Sequence, residues 1–197
     1  MGQITSNTFL GSFLTDICKK NADIKTVVEI GTWDGMGSTE CIIHGLANSN
    51  KSEIKFISLE SDLSMHNNAV KSWENKLPEW AFLIHGRIVD EKDMDSNNLN
   101  FDEKNWFQND IANIKTCENV FEILPNKIDL LVLDGGEFST ESEFKKLANR
   151  SKIIVLDDTE VRKGRAIKAS VISSPDKYKI IFNLPEIRNG IIAFEII

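Results

Sequence analysis

The residues best suited to chemistry fall in four short stretches, each directly after an apolar run. The first is Val27-Val28-Glu29-Ile30-Gly31-Thr32-Trp33-Asp34-Gly35-Met36-Gly37-Ser38. A glycine-rich turn that opens straight into a helix lets the backbone approach a ligand closely, with helix N–H groups aimed at it. The spacing Gly31-x-x-x-Gly35-x-Gly37 departs from the Gly-x-Gly-x-x-Gly of nicotinamide and flavin binders, so a pyrophosphate has no obvious cradle. The second stretch, Phe56-Ile57-Ser58-Leu59-Glu60-Ser61-Asp62, ends an apolar run in an acid. A carboxylate at the tip of a second strand accepts both hydroxyl hydrogens of a ribose. Taken together, the two stretches point to an adenosine-containing ligand.

The third and fourth stretches concentrate negative charge. Asp129-Leu130-Leu131-Val132-Leu133-Asp134-Gly135-Gly136-Glu137 and Ile153-Ile154-Val155-Leu156-Asp157-Asp158-Thr159 each end in acids. In an open parallel sheet the carboxyl ends of the strands line the ligand crevice, so Asp134, Asp157 and Asp158 should converge there. Clustered carboxylates repel one another unless a cation neutralises them, and hard oxygen donors suit Mg²⁺ or another divalent ion. The alternative is a set of negative strand ends solvated in a cleft. A further stretch, Ile84-His85-Gly86-Arg87-Ile88, ends another apolar run, and His85 reads as a structural strand-end histidine.

The elements that would position these residues are legible from apolar periodicity. Five β-branched, continuously apolar runs, Thr26–Ile30, Ile54–Leu59, Ala81–Ile84, Ile128–Leu133 and Lys152–Leu156, suit strands covered on both faces. Amphipathic segments between them predict βαβ units. The helices are placed at Asn7–Lys20 (capped by Ser6 or Asn7), Ser38–Ala47, Ser64–Lys76, Asn109–Leu124, Thr140–Asn149 and Val161–Ser173. Tyr178–Asn183 and Gly190–Ile196 are joined by too short a loop for a crossover helix, which predicts an antiparallel hairpin. The polar stretch from Asp90 to Phe107, with Trp106 and Phe107, reads as a loop insertion, either a substrate-side lid or a surface excursion.

Composition bounds what such a chain does. Its 197 residues suit one domain, 1–197, with a helical cap over 1–24 and the 90–107 insertion. The net charge of −7, with no long basic run, argues against duplex nucleic acid as a partner. Arg162, Lys163, Arg165 and Lys168 form one small basic cluster, whose helical spacing suits a solvated face better than a polyanion site. Cys18, Cys41 and Cys117 have no paired spacing and read as reduced thiols. With no signal-peptide pattern and no membrane-spanning run, the expected location is cytoplasmic.

The first stretch resembles the opening motif of class I S-adenosylmethionine-dependent methyltransferases. The runs Leu133-Asp134-Gly135-Gly136-Glu137 and Leu156-Asp157-Asp158-Thr159 resemble stretches of their metal-dependent O-methyltransferases, of the catechol, macrolide-sugar and rhamnosyl types. The resemblance covers Thr26 to Ile197. It implies a Rossmann-like α/β fold with a mostly parallel seven-stranded sheet and a C-terminal antiparallel hairpin. It implies S-adenosylmethionine held by Glu29, Gly31, Thr32, Trp33, Asp34, Gly35, Gly37, Ser38, Glu60, Ser61, Gly86, Arg87, Ile88 and Asp134. Glu29 would sit near the methionine ammonium group, and Gly86, Arg87 and Ile88 beside the adenine. It further implies Mg²⁺ or another divalent ion on Asp134, Asp157 and Asp158, which would activate a small-molecule or saccharide hydroxyl. Glu137 stands where the family has a histidine base, and a carboxylate takes that proton if its surroundings raise its pKa. The other readings are a metal-independent N-methyltransferase, a cofactor-binding protein without catalysis, and an NAD-dependent oxidoreductase, which the glycine spacing disfavours. A homo-oligomer is compatible with the sequence.

Overall fold

Strand β1, Thr26–Ile30, is buried along almost its whole length because its β-branched residues face helices on both sides. In this computed structural model, which describes residues 4–197, β1 stands at the centre of the sheet. It pairs in parallel with β2, Lys55–Glu60, on one side and with β5, Ile128–Leu133, on the other. Outward from β2 lie β3, Ala81–Arg87, and the two-residue β4, Glu118–Asn119. Outward from β5 lie β6, Ser151–Asp157, then β8, Ile191–Ile196, and β7, Tyr178–Leu184. The order is β4-β3-β2-β1-β5-β6-β8-β7, parallel up to β6 and antiparallel through the terminal hairpin. Among the described residues the sheet thus has eight strands rather than seven, β4 being the addition.

Helices cover both faces. On one, α1 (Phe9–Lys20) and α2 (Ser38–Ala47) pack over Val27, Phe56, Leu130 and Val155, with Trp73 closing the rim beyond α3 (Leu63–Ser72). On the other, α5 (Thr140–Leu147) and α6 (Arg162–Ser173) bury Phe144, Leu147, Ile167 and Val171 against Leu131, Ile154 and Phe194. Thr8, not Ser6 or Asn7, caps α1, its side chain accepting from Gly11 N. The three cysteines are free and buried.

The expected 90–107 loop is only half a loop. Helix α4 runs over Phe101–Thr116 rather than starting near Asn109. The cause is a reciprocal cap: Asn100 Oδ1 accepts from Glu103 N and Glu103 Oε2 from Asn100 N, both at 2.9 Å. The helix ends at Thr116 because the chain then enters β4 beside β3, which also overturns the expected extension to Leu124. Phe107 packs edge-to-face on Phe138 at 5.2 Å, whereas Trp106 is exposed.

Candidate active site

The strand order reverses between β1 and β5, and a crevice opens there at the carboxyl ends of the strands. Two backbones meet at its floor. Asp134 N donates to Ile30 O at 2.9 Å, and Gly31, at φ +100°, lies so close that a Cβ would stand 2.2 Å from Asp134 O. Glycine is therefore required at this turn.

A cavity of about 620 Å³ fills the crevice. Of the expected ligand-binding residues, Gly31, Thr32, Trp33, Asp34, Gly37, Ser38, Glu60, Ser61, Gly86, Arg87, Ile88 and Asp134 are on its wall. Glu60 stands at the β2 tip, Oε2 accepting from Trp33 N at 2.7 Å and Oε1 from Asp62 N at 2.9 Å. These bonds fix the carboxylate yet leave each oxygen a second lone pair toward the cavity. The N-terminus of α2 opens on Gly37 and Ser38 with no side-chain cap, leaving its N–H groups for a ligand.

Two of the expected binding residues lie behind the wall rather than on it. Glu29 is fully buried under the turn, its Oε2 accepting from Thr39 and Ser58 hydroxyls at 2.6 Å each, while Oε1 has no partner. Burial pushes its pKa up to about 7, against the pull of those hydroxyl donors. Gly35, at φ +75°, supports the turn from beneath, its carbonyl accepting from Trp73 Nε1 at 2.8 Å.

Three acids of the cavity were not among the expected site residues: Asp62, which caps α3, Asp110 and Glu143. Asp110 comes from α4, and burial followed by repulsion from Glu137 and Glu60 raises it to about 6. Glu143 comes from α5 and burial raises it to about 7; its Oε2 has no partner beside Gly135. Seven carboxylates face the cavity against two guanidinium groups, those of Arg87 and Arg188. Asp110 lies in the middle of α4 and Glu143 on the first turn of α5, and acids at such places leave little trace in sequence because exposed acids occupy them routinely.

Asp134, Asp157 and Asp158 do converge, with ligand oxygens within 4.8 Å of one another. Two cations not anticipated there are already among them. Lys163, on the first turn of α6 and only 6% exposed, reaches Asp134 Oδ1 and Asp158 Oδ2 at 2.9 Å each and Gly135 O at 3.3 Å. Arg188, from the β7–β8 loop, lies 2.8 Å from Asp157 Oδ2 as an ion pair without hydrogen-bond geometry. Burial works against the Lys163 charge, but the two aspartates outweigh it and hold its pKa above the ordinary lysine range. Asp157, buried and crowded by Asp134 and Asp158, is pushed up to about 7. The solvated-face reading of the basic cluster therefore fails at Lys163. Arg162 also turns inward, reaching Asp95 at 2.7 Å and Glu103 at 3.1 Å, while Arg165 and Lys168 engage Glu160.

Glu137 is on an adjoining cleft, which meets the first cavity at Asp158 and Asn189 and also carries Trp106, Phe138, Lys145 and Arg165. Its Oε1 accepts from Lys163 N at 3.2 Å. His85 Nε2 lies 3.1 Å from Ser61 O.

No family model matches the chain, and no curated protein matches it in sequence. Solved structures do match in fold. A Podospora anserina methyltransferase bound to S-adenosylhomocysteine superposes with a TM-score of 0.64 at 15% identity, over 95% of this chain and 77% of that one. The O-methyltransferase from Bacillus cereus in complex with S-adenosylhomocysteine gives 0.60 at 15% identity, over 96% and 79%. A methyltransferase from Geobacter sulfurreducens gives 0.58 at 12% identity, over 95% and 77%. The chain has the Rossmann-like α/β fold of the class I methyltransferases.

Proposed function

We propose that the chain binds S-adenosylmethionine and transfers its methyl group to the hydroxyl of a small-molecule or saccharide acceptor. The observation that carries this reading is the charge of the cavity. Seven carboxylates face two guanidinium groups there, and burial raises Asp110 and Glu143 above their ordinary pKa; such a cavity favours a cationic ligand. S-adenosylmethionine carries a sulfonium and an ammonium group, whereas the pyrophosphate of NAD would face repulsion there. The one carboxylate of the cofactor suits the uncapped N-terminus of α2, and its ribose hydroxyls suit Glu60.

The acceptor would enter through the adjoining cleft, which meets the cofactor cavity at Asp158 and Asn189. As the methyl carbon moves from sulfur to the acceptor oxygen, the sulfonium becomes a neutral thioether and the hydroxyl gives up its proton. Glu137, which lines the adjoining cleft, would receive it. Alignment of the two reactants in abutting pockets supplies much of the rate enhancement for such a transfer.

The divalent ion that the resemblance implies does not fit the acids as they stand. Asp134 and Asp158 are already paired with Lys163, and Arg188 faces Asp157. No step of the proposed reaction is assigned to a metal.

Thermal unfolding with S-adenosylhomocysteine or NAD tests the cofactor. A ligand specific for the native state, at a hundredfold excess over its Kd, stabilises by about 2.7 kcal/mol. Stabilisation by S-adenosylhomocysteine alone is expected, and stabilisation by NAD instead, or by neither, overturns the reading.

A further inference from the structure

We propose that Lys163 is the resident cation of the acidic cluster, filling the place of a divalent ion, so that the site binds its cofactor and works without metal. The inference rests on the methyltransferase reading for its function, though not for its chemistry. Three features of the site carry it.

The first is the engagement of the ammonium group. Nζ donates to Asp134 Oδ1 at 2.9 Å and to Gly135 O at 3.3 Å, and forms an ion pair with Asp158 Oδ2 at 2.9 Å. Buried among these partners, Lys163 acts as a positioning residue that holds Asp134 and Asp158 on the cavity wall. The second is proximity. A small divalent ion sits about 2 Å from each ligand oxygen, and the three aspartate oxygens lie within 4.8 Å of one another. Lys163 Nζ stands 2.9 Å from Asp134 Oδ1 and from Asp158 Oδ2, so it bridges two of the three side chains. A divalent ion held by the same carboxylates would face the ammonium charge at close range.

The third is the way the backbone delivers this lysine. Gly164 follows it, and a Cβ there would lie 2.6 Å from Thr159 Cα and 2.7 Å from Asp158 O. Only glycine lets the first turn of α6 press so close to the end of β6. Asp158 itself is left-handed at φ +57°, a conformation that costs free energy for a non-glycine residue and turns its carboxylate toward Lys163. Asn189 Nδ2 adds a bond to Asp158 Oδ1 at 3.1 Å, and the backbone of its loop clamps Thr159 and Glu160. The surroundings of Lys163 are shaped around an ammonium group.

The test is Mn²⁺ binding followed by electron paramagnetic resonance, alongside thermal shifts with S-adenosylhomocysteine in EDTA or in Mg²⁺. The unsubstituted chain is expected to bind no stoichiometric Mn²⁺ and to give the same S-adenosylhomocysteine shift in both media. Lys163→Ala removes the ammonium group that compensates the acids. It is expected to bind one Mn²⁺ at least about tenfold more tightly than the unsubstituted chain. It should also lose the S-adenosylhomocysteine shift in EDTA and recover it in Mg²⁺. Stoichiometric Mn²⁺ binding by the unsubstituted chain, abolished in Asp157→Asn, overturns the proposal, as does a folded Lys163→Ala that gains no Mn²⁺. Should Lys163→Ala not fold, the unsubstituted chain decides by itself. Absence of any S-adenosylhomocysteine shift strikes the cofactor reading instead, and leaves the Mn²⁺ result to judge the role of Lys163.

Discussion

Gly31 and Asp134 touch through their backbones across the switch point of the sheet, where a Cβ on Gly31 would stand 2.2 Å from Asp134 O. The contact joins the glycine-rich turn to the acid-bearing end of β5. Gly31→Ala combines this clash with a φ of +100°. It should destabilise by about 2–4 kcal/mol, the range of a core clash with backbone strain. Urea unfolding measures this, and a loss below about 1 kcal/mol would show that the two backbones part easily.

Glu60 offers its free lone pairs to the cavity after accepting from Trp33 and Asp62. In Glu60→Gln one oxygen becomes an amide donor, and a charge-assisted bond to the ligand is lost. Such bonds contribute about 1.5–3 kcal/mol, so affinity for S-adenosylhomocysteine should fall roughly tenfold to a hundredfold. Isothermal titration would read the change, and an unaltered Kd would remove Glu60 from the ribose site.

Arg162 ties the 95–103 segment to the start of α6, through Asp95, Glu103 and the carbonyls of Asn97 and Asn98. The segment borders the cleft assigned to the acceptor. Arg162→Ala should therefore raise KM for the acceptor and speed amide exchange over residues 94–103, while S-adenosylhomocysteine binding stays as it was. Exchange confined to its original rate would mean that the α4 cap alone holds this segment.

The pH dependence of stability follows from Glu29, whose pKa rises from 4.5 to about 7 on folding. Between these values the folded chain binds more protons than the unfolded one, so stability is greatest near pH 4.5 and falls as pH rises toward 7. The loss for this group is roughly 3 kcal/mol. Glu143 is shifted the same way and adds to the trend. Asp110 and Asp157 are raised into the same range, so Glu29→Gln removes one of several such groups and should flatten, without abolishing, the slope of unfolding free energy between pH 5 and pH 7. An unchanged slope would place the titration elsewhere.

The strands were legible because burial on both faces leaves continuous apolar runs: Ile128–Leu133 reads the same in sequence and structure. The acids at their tips were legible too, since a parallel sheet sends every carboxyl end to one side. Lys163 was not, because its neighbours Arg162, Arg165 and Lys168 make it look like one charge on a wet helix face. Its burial is decided by Gly164, whose meaning appears only once α6 meets β6. Arg188 likewise depends on where a hairpin loop lands. Helix α4 carried a readable signal, the Asn100-x-x-Glu103 cap, which the polar composition of the segment obscured.

The hairpin and α6 lie late in the chain, and that order has a consequence for synthesis. Ribosomes make the carboxylates of Asp134, Asp157 and Asp158 before Lys163, and Arg188 later still, a gap of a few seconds at ordinary elongation rates. A nascent chain that docked β5 and β6 too soon would press three like charges together with no partner. Repulsion among these carboxylates therefore opposes docking of β6 on β5 until α6 and the hairpin bring Lys163 and Arg188 to them.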